Sequence, residues 1–138
     1  MQRERRFVAN LRLVLVTPEK TLFDREVASI RVPLFDGSAG FYPGRAPLVG
    51  RLGIGELRLT NGSEEESYFV EGGFVQVKGE VVSVLTNAAI PVSEISRKSA
   101  AEQLQSAKAA KSNSDEEYLA MARKLERARK MLTLAGKD

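Results

Sequence analysis

Two clusters of ionisable side chains stand out in this chain. Glu64, Glu65 and Glu66 are contiguous, and Arg123, Lys124, Arg127, Arg129 and Lys130 crowd around a single acid, Glu126. Three adjacent carboxylates after Asn61-Gly62 fit an exposed, solvated loop better than an acid/base pair, which needs carboxyls held apart in unlike environments. The five cations suit an acidic protein surface or a phosphate backbone. The sequence contains no Cys and no His. That removes disulfides, thiolate nucleophiles and the most versatile general base near neutral pH. It also argues against a tight zinc or copper site, since both metals favour thiolate or imidazole. No Ser-His-Asp, Cys-His, P-loop or dinucleotide pattern is present, so the sequence implies no catalytic residue, metal ligand or cofactor site.

The formal net charge is +3 with a pI near 9.3. Its location matters more than its size. Residues 1–90 hold eleven basic and eleven acidic side chains, so the whole excess lies in the tail, with ten against seven. A nucleic-acid module would need more than this, because the chain lacks the aromatic-rich basic platform used for single strands. Nucleic acid is therefore not an expected partner. The basic start, Arg3, Arg5 and Arg6, leads into an apolar run broken by Asn10 and Arg12, which fits a solvated lead-in to a strand better than a signal peptide. No stretch of about 20 apolar residues occurs, so membrane association is expected only through partners.

The elements that must position these groups change character at Pro91. Ten of the eleven glycines precede it, with 19 Val, Ile and Thr residues, while the part beyond it has only three of those types and nine alanines. Leu11, Leu13 and Leu15 alternate with Arg12, Val14 and Val16 in strand period. Pro18 makes a turn, Leu22-Phe23 and Val27 to Val32 resume extended structure, and Asp36-Gly37 and Pro43-Gly44 mark corners. Asn61-Gly62 and Lys78-Gly79-Glu80 each join two strands as hairpins, with Gly72-Gly73 between them at a bulge or close backbone approach. Strands this short and closely spaced leave no room for crossover helices, so an antiparallel β-sandwich or flattened barrel over residues 1–91 is expected.

Beyond Pro91, Ser93 is a candidate N-cap for a first helix over about 93–110, with Ala100, Leu104 and Ala107 on one face. The polar run Lys111-Ser112-Asn113-Ser114 interrupts it. Ser114 and Glu117 have capping-box spacing, which starts a second helix over about 115–135. There Tyr118, Ala122, Leu125, Ala128, Leu132 and Ala135 form one narrow apolar stripe. The fold class is thus α+β in sequence order: a sandwich followed by an antiparallel two-helix hairpin at 92–138, held together mostly by alanine.

The segment Leu13 to Glu19, Leu22-Phe23, GFYPGRAPL from Gly40 to Leu48, VEGGFVQV from Val70 to Val77 and VVSVL from Val81 to Leu85 together resemble the epsilon subunit of F-type ATP synthase. The resemblance covers nearly the whole chain. It implies a noncatalytic rotor subunit of the central stalk. In that family the sandwich binds the gamma subunit and sits against the ring of membrane c subunits, in an assembly that makes ATP from a proton gradient. It also implies a peripheral position on the cytoplasmic face of a bacterial plasma membrane, or the organellar equivalent.

Carried residue by residue, the resemblance places Thr17, Arg45, Ala46, Pro47 and Leu48 toward gamma, and the turn Asp36, Gly37, Ser38 and Ala39 toward the c-ring. Arg45 stands where His is common and Ser38 where an acid is common, so the partner's charge pattern need not follow the family's. The hairpin can lie compactly or extend toward the alpha and beta subunits and inhibit ATP hydrolysis, with Arg123, Lys124, Arg127, Arg129 and Lys130 as its contacts. Some members bind ATP at the start of the first hairpin helix through an Asp and an Arg. Ser96 and Ser99 occupy those two places here, so ATP is not an expected ligand.

Overall fold

A computed structural model describes residues 10–44 and 47–135. The chain separates into two compact units that part between Ala89 and Ile90. The first contains β1 (Leu11–Val16), β2 (Thr21–Val27), β3 (Ser29–Leu34), β4 (Gly37–Phe41), β5 (Leu48–Arg51), β6 (Ile54–Asn61), β7 (Glu64–Glu71), β8 (Phe74–Lys78) and β9 (Val81–Leu85). A short strand, β10 (Ala89–Pro91), stands at the junction. The second unit contains a 3-10 turn at Val92–Glu94, then α1 (Arg97–Ala109) and α2 (Asp115–Leu134).

The strands form two sheets, one in the order β2-β1-β9-β8-β5 and the other in the order β7-β6-β3-β4 with β10 at its β7 edge. The pairs β1–β2, β3–β4, β3–β6, β5–β8, β6–β7 and β8–β9 are antiparallel, whereas β1 and β9 are parallel from Arg12↔Val81 to Val16↔Leu85. Parallel neighbours need a long connection, and here the intervening strands supply it. The pleat sends Leu11, Leu13, Leu15, Val75, Val77, Val82 and Val84 inward from the first sheet to meet Ile30, Val32, Phe41, Leu57, Leu59 and Val70 from the second. These side chains are at most 2% exposed. Removing apolar surface from water at about 25 cal/mol per Å² drives the closure.

At the open edge the sheets are joined by polar and aromatic contacts. Arg25 of β2 pairs with Glu66 of β7 at 2.6 Å. Its guanidinium also lies 4.7 Å from the Phe23 ring, and Phe23 meets Tyr68 at 5.4 Å. The carboxylates Glu64, Glu65 and Glu66 therefore belong to strand β7 and not to an exposed loop. Asn61 pairs directly with Glu64, which leaves only Gly62-Ser63 as the turn. The turn before β4 is likewise shorter than expected. Leu34 pairs with Gly37, so Gly37, Ser38 and Ala39 are strand residues and the turn is Phe35-Asp36.

The start of the first helix also differs from the sequence expectation. Val92–Glu94 close a single 3-10 turn that ends at extended Ile95. Ser96, not Ser93, caps α1, its Oγ accepting from Ser99 N at 3.1 Å. Ser114 caps α2 by accepting from Glu117 N at 3.1 Å, and Glu117 Oε1 reaches back to accept from Asn113 N at 2.7 Å. Three acids in the first turn of α2 complement the helix dipole. The expected apolar stripe holds from Leu125 onward, whereas Tyr118 is 57% exposed and Ala122 is also exposed. For Tyr118 the reason is register. Arg127 Nη1 donates to Gln103 Oε1 at 3.2 Å, which puts Tyr118 opposite the connector at 110–114 rather than opposite α1.

Gly72 and Gly73 have φ of 70° and 109°. A Cβ on Gly73 would lie 1.8 Å from the carbonyl oxygen of Leu85, whereas one on Gly62 (φ 70°) would meet nothing within 4 Å. Gly73→Ala should therefore cost about 3 kcal/mol or more through backbone displacement and strain. Gly62→Ala should cost only about 1 kcal/mol, the strain of a left-handed residue. Denaturant unfolding of the two variants checks the order.

Candidate functional site

The pleat that fills the core also decides what the first sheet shows to solvent. Registers across β5, β8, β9 and β1 place Arg51, Phe74, Leu85 and Val16 in one continuous row on the outer face. The next row is Val49, Gln76, Ser83, Val14 and Asp24. The third is Lys78, Val81, Arg12 and Glu26. The outer face is thus graded, apolar at the Arg51 end and charged at the Arg12 end. Val49 is 71% exposed, Phe74 59% and Leu85 52%. Exposed valine alone is ordinary, but adjoining large apolar side chains on one face make it the candidate partner-binding surface.

Phe35, in the β3–β4 turn, extends the apolar end. It is 69% exposed, and the Arg51 guanidinium lies 4.7 Å from its ring centroid. At the charged end, Arg12 Nε and Nη2 both donate to the carboxylate of Asp24 at 2.6 Å. The two-pronged hydrogen bond from Arg12 holds the Asp24 carboxyl below its ordinary range, and the same bond raises Arg12.

Thr17 is 8% exposed. Its Oγ1 and its N both donate to Lys20 O, at 3.3 and 2.9 Å, so its hydroxyl serves the turn. Arg45 and Ala46 lie outside the described residues. Pro47 is exposed, while Leu48 faces inward beside Val77 and packs against the core. Asp36 is exposed in the turn, and Ser38 Oγ accepts from Arg31 Nη1 at 3.2 Å.

On α2, the five cations do not share one face. At 100° per residue Arg123, Arg127 and Lys130 form a stripe, Lys124 lies at its shoulder, and Arg129 points to the other side. Ser99 Oγ accepts from Gln103 Nε2 at 3.4 Å, so Ser96 and Ser99 both serve the helix itself. Among the described residues no group of acids could hold a metal ion, and no helix is long and apolar enough to cross a membrane.

Sequence reading missed Phe35, Val49, Arg51, Phe74 and Leu85. The signal was present, because Val14, Val16 and Val49 are apolar at the alternate positions that a half-exposed strand normally fills with polar residues.

The chain thus combines a β-sandwich, whose first sheet shows a graded outer face, with a two-helix hairpin. The chain belongs to the ATP synthase delta/epsilon chain family, whose β-sandwich domain matches residues 10–92. It is similar to the ATP synthase epsilon chain of Rhodopirellula baltica, at 55% identity over 83 residues, covering 60% of this chain and 65% of that one. The chain thus spans just under two thirds of that relative. The epsilon chain of Solibacter usitatus is 38% identical over 109 residues, covering 79% of this chain and 76% of that one. Among solved structures, a chain of the Euglena gracilis mitochondrial ATP synthase, OSCP/F1/c-ring in rotational state 1, superposes with a TM-score of 0.83 at 26% identity, over 91% of this chain and 81% of that one.

Because folding lowers the Asp24 pKa, the Arg12 pair adds stability above the unfolded Asp value of about 3.9, and this is lost as pH falls through the lower folded value. The Asp24 carboxyl should therefore titrate below the ordinary Asp range by NMR, and Arg12→Ala should return it upward.

Proposed function

We propose that this chain is a noncatalytic rotor subunit of an F-type ATP synthase, joining the gamma subunit to the c-ring in an assembly that makes ATP from a proton gradient. The observation that carries this reading is the row on the outer face of the first sheet in which Phe74, Leu85 and Val16 adjoin across β8, β9 and β1, with Arg51 of β5 at its end and Phe74 and Leu85 left in water. A buried standard interface removes about 800 Å² from each partner. Membership of the delta/epsilon family supports the choice of gamma as the partner that covers this row. The Phe35-Asp36 turn, with Gly37, Ser38 and Ala39 behind it, is our candidate for the c-ring side. The rotor then lies at the membrane through its complex, on the cytoplasmic face in a bacterium.

The hairpin carries the regulatory part of the reading. Its buried positions on the two helices are Ala100, Ala107, Ala128 and Met131. A methylene-sized group contributes only about 0.8 kcal/mol when buried, so an alanine-lined hairpin is held weakly enough for competing contacts to rearrange it. α2 has 20 residues, which makes it about 30 Å long. Extended, its stripe of Arg123, Arg127 and Lys130, with Lys124 beside it, would meet an acidic surface on the alpha and beta subunits and slow hydrolysis.

The chain should copurify with gamma, and removal of residues 92–138 should leave that association intact while raising ATP hydrolysis by the assembled complex. Failure to associate with gamma would overturn the rotor reading. Unchanged hydrolysis would remove only the inhibitory role. Because Ser96 and Ser99 are engaged in capping and intrahelical bonds, calorimetric titration with ATP should show no micromolar binding.

A further inference from the structure

Arg51 is an anomaly among the described arginines of the sandwich. Arg12, Arg25 and Arg58 each face a carboxylate, Asp24, Glu66 and Glu56 respectively, at 2.6 to 3.2 Å. Arg31 donates to a hydroxyl, Ser38 Oγ. The Arg51 guanidinium has no ion pair or hydrogen bond among the described residues, only the Phe35 ring at 4.7 Å. Phe74 stands directly opposite it across the β5–β8 ladder.

Stacking on an aromatic face leaves the edge of a guanidinium free, and that edge presents N–H donors in the fork geometry that matches a carboxylate. Two half-exposed phenyl rings around such a fork, with Val49 and Leu85 in the neighbouring positions, have the composition of an interface hot spot, where aromatic and arginine anchors dominate. A free inorganic anion would satisfy the charge but leave the apolar side chains in water. A protein segment satisfies both.

We propose that Phe35, Arg51 and Phe74 form a composite anchor that takes a carboxylate side chain flanked by apolar residues on the stalk partner. This rests on the rotor reading above and names the chemistry of the same surface. The carboxylate accepts from the edge of Arg51, the flanking apolar groups cover Phe74 and Leu85, and Phe35 fixes the guanidinium plane. Since the anchor joins the β3–β4 turn to β5, both ends of the proposed rotor contact share it.

The test is calorimetric binding of the full chain to its own gamma subunit at low and moderate salt. Arg51→Ala should weaken binding tenfold or more. Arg51→Lys, which keeps the charge but loses the stack and the fork, should recover only a minor part. Phe35→Ala should weaken binding too, and the double variant should lose less than the product of the two single losses. Where Arg51→Ala lowers the melting temperature, Arg51→Gln, which retains the side-chain stem, gives the reading instead. Affinity within twofold of the unmodified chain for both neutral variants, with gamma still bound, would overturn the anchor and leave the rotor reading standing. Full recovery with lysine would overturn the stacked-fork chemistry. No binding by the unmodified chain would overturn both.

Discussion

The pleat of a β-strand assigns successive side chains to opposite faces, and in the first sheet that constraint meets a sequence with apolar residues on both faces. The inward set closes the core against the second sheet. The outward set then has no choice of position: once Leu13, Val75 and Val84 are inside, Val14, Phe74 and Leu85 must be outside. A one-residue slip would exchange the two sets and bury Arg12, Gln76 and Lys78, each a polar group without a partner in the core. The exposed apolar row is therefore the obligatory reverse of the core.

The two units differ in what holds them. In the sandwich, large aliphatic and aromatic side chains interlock, and the Arg25–Glu66 pair with Phe23 and Tyr68 joins the sheet edges. The exposed ion pairs add little by themselves; the packing beneath them sets the stiffness. In the hairpin, most of the buried side chains are alanines, and helix ends are secured by single caps on Ser96 and Ser114. Such an arrangement forms a stable local shape with a shallow preference for any one partner. A tightly packed sandwich followed by a weakly held hairpin suits the proposed rotor subunit, which must stay attached while another part of it rearranges.

Much of this organisation was legible in the sequence. The hairpins around Gly62 and Gly79, the close approach at Gly73 and the capping-box start at Ser114 each follow from one residue type with one backbone use. The parallel β1–β9 pair was not legible, because which distant strands become neighbours depends on closure of the whole sandwich. Ser93 and Ser96 are equally good caps by type, and the 3-10 turn that spends residues 92–94 decides between them. Tyr118 satisfies the stripe by periodicity and still lies in solvent, because periodicity fixes a face and not how far the opposing helix extends. The docking face escaped for a related reason. When both sets of alternate residues are apolar, the pattern announces a strand but not which side faces in.

The placement of Phe35 shows how a turn can become part of a sheet surface. Phe35 N donates to Arg51 O at 2.7 Å, Gly53 N donates to Pro33 O at 2.8 Å, and Leu34 bridges to Leu52. These two hydrogen bonds, which together form the Leu34–Leu52 bridge, bind the β3–β4 turn to the end of β5. Gly53 permits the approach, since a Cβ there would press within 3.0 Å of the Leu34 carbonyl. The side-chain contact between Phe35 and Arg51 sits on this frame, and a displacement of the turn must move β5 with it. If the turn meets one partner and the sheet face another, the load passes between them through hydrogen-bonded backbone, not through flexible side chains.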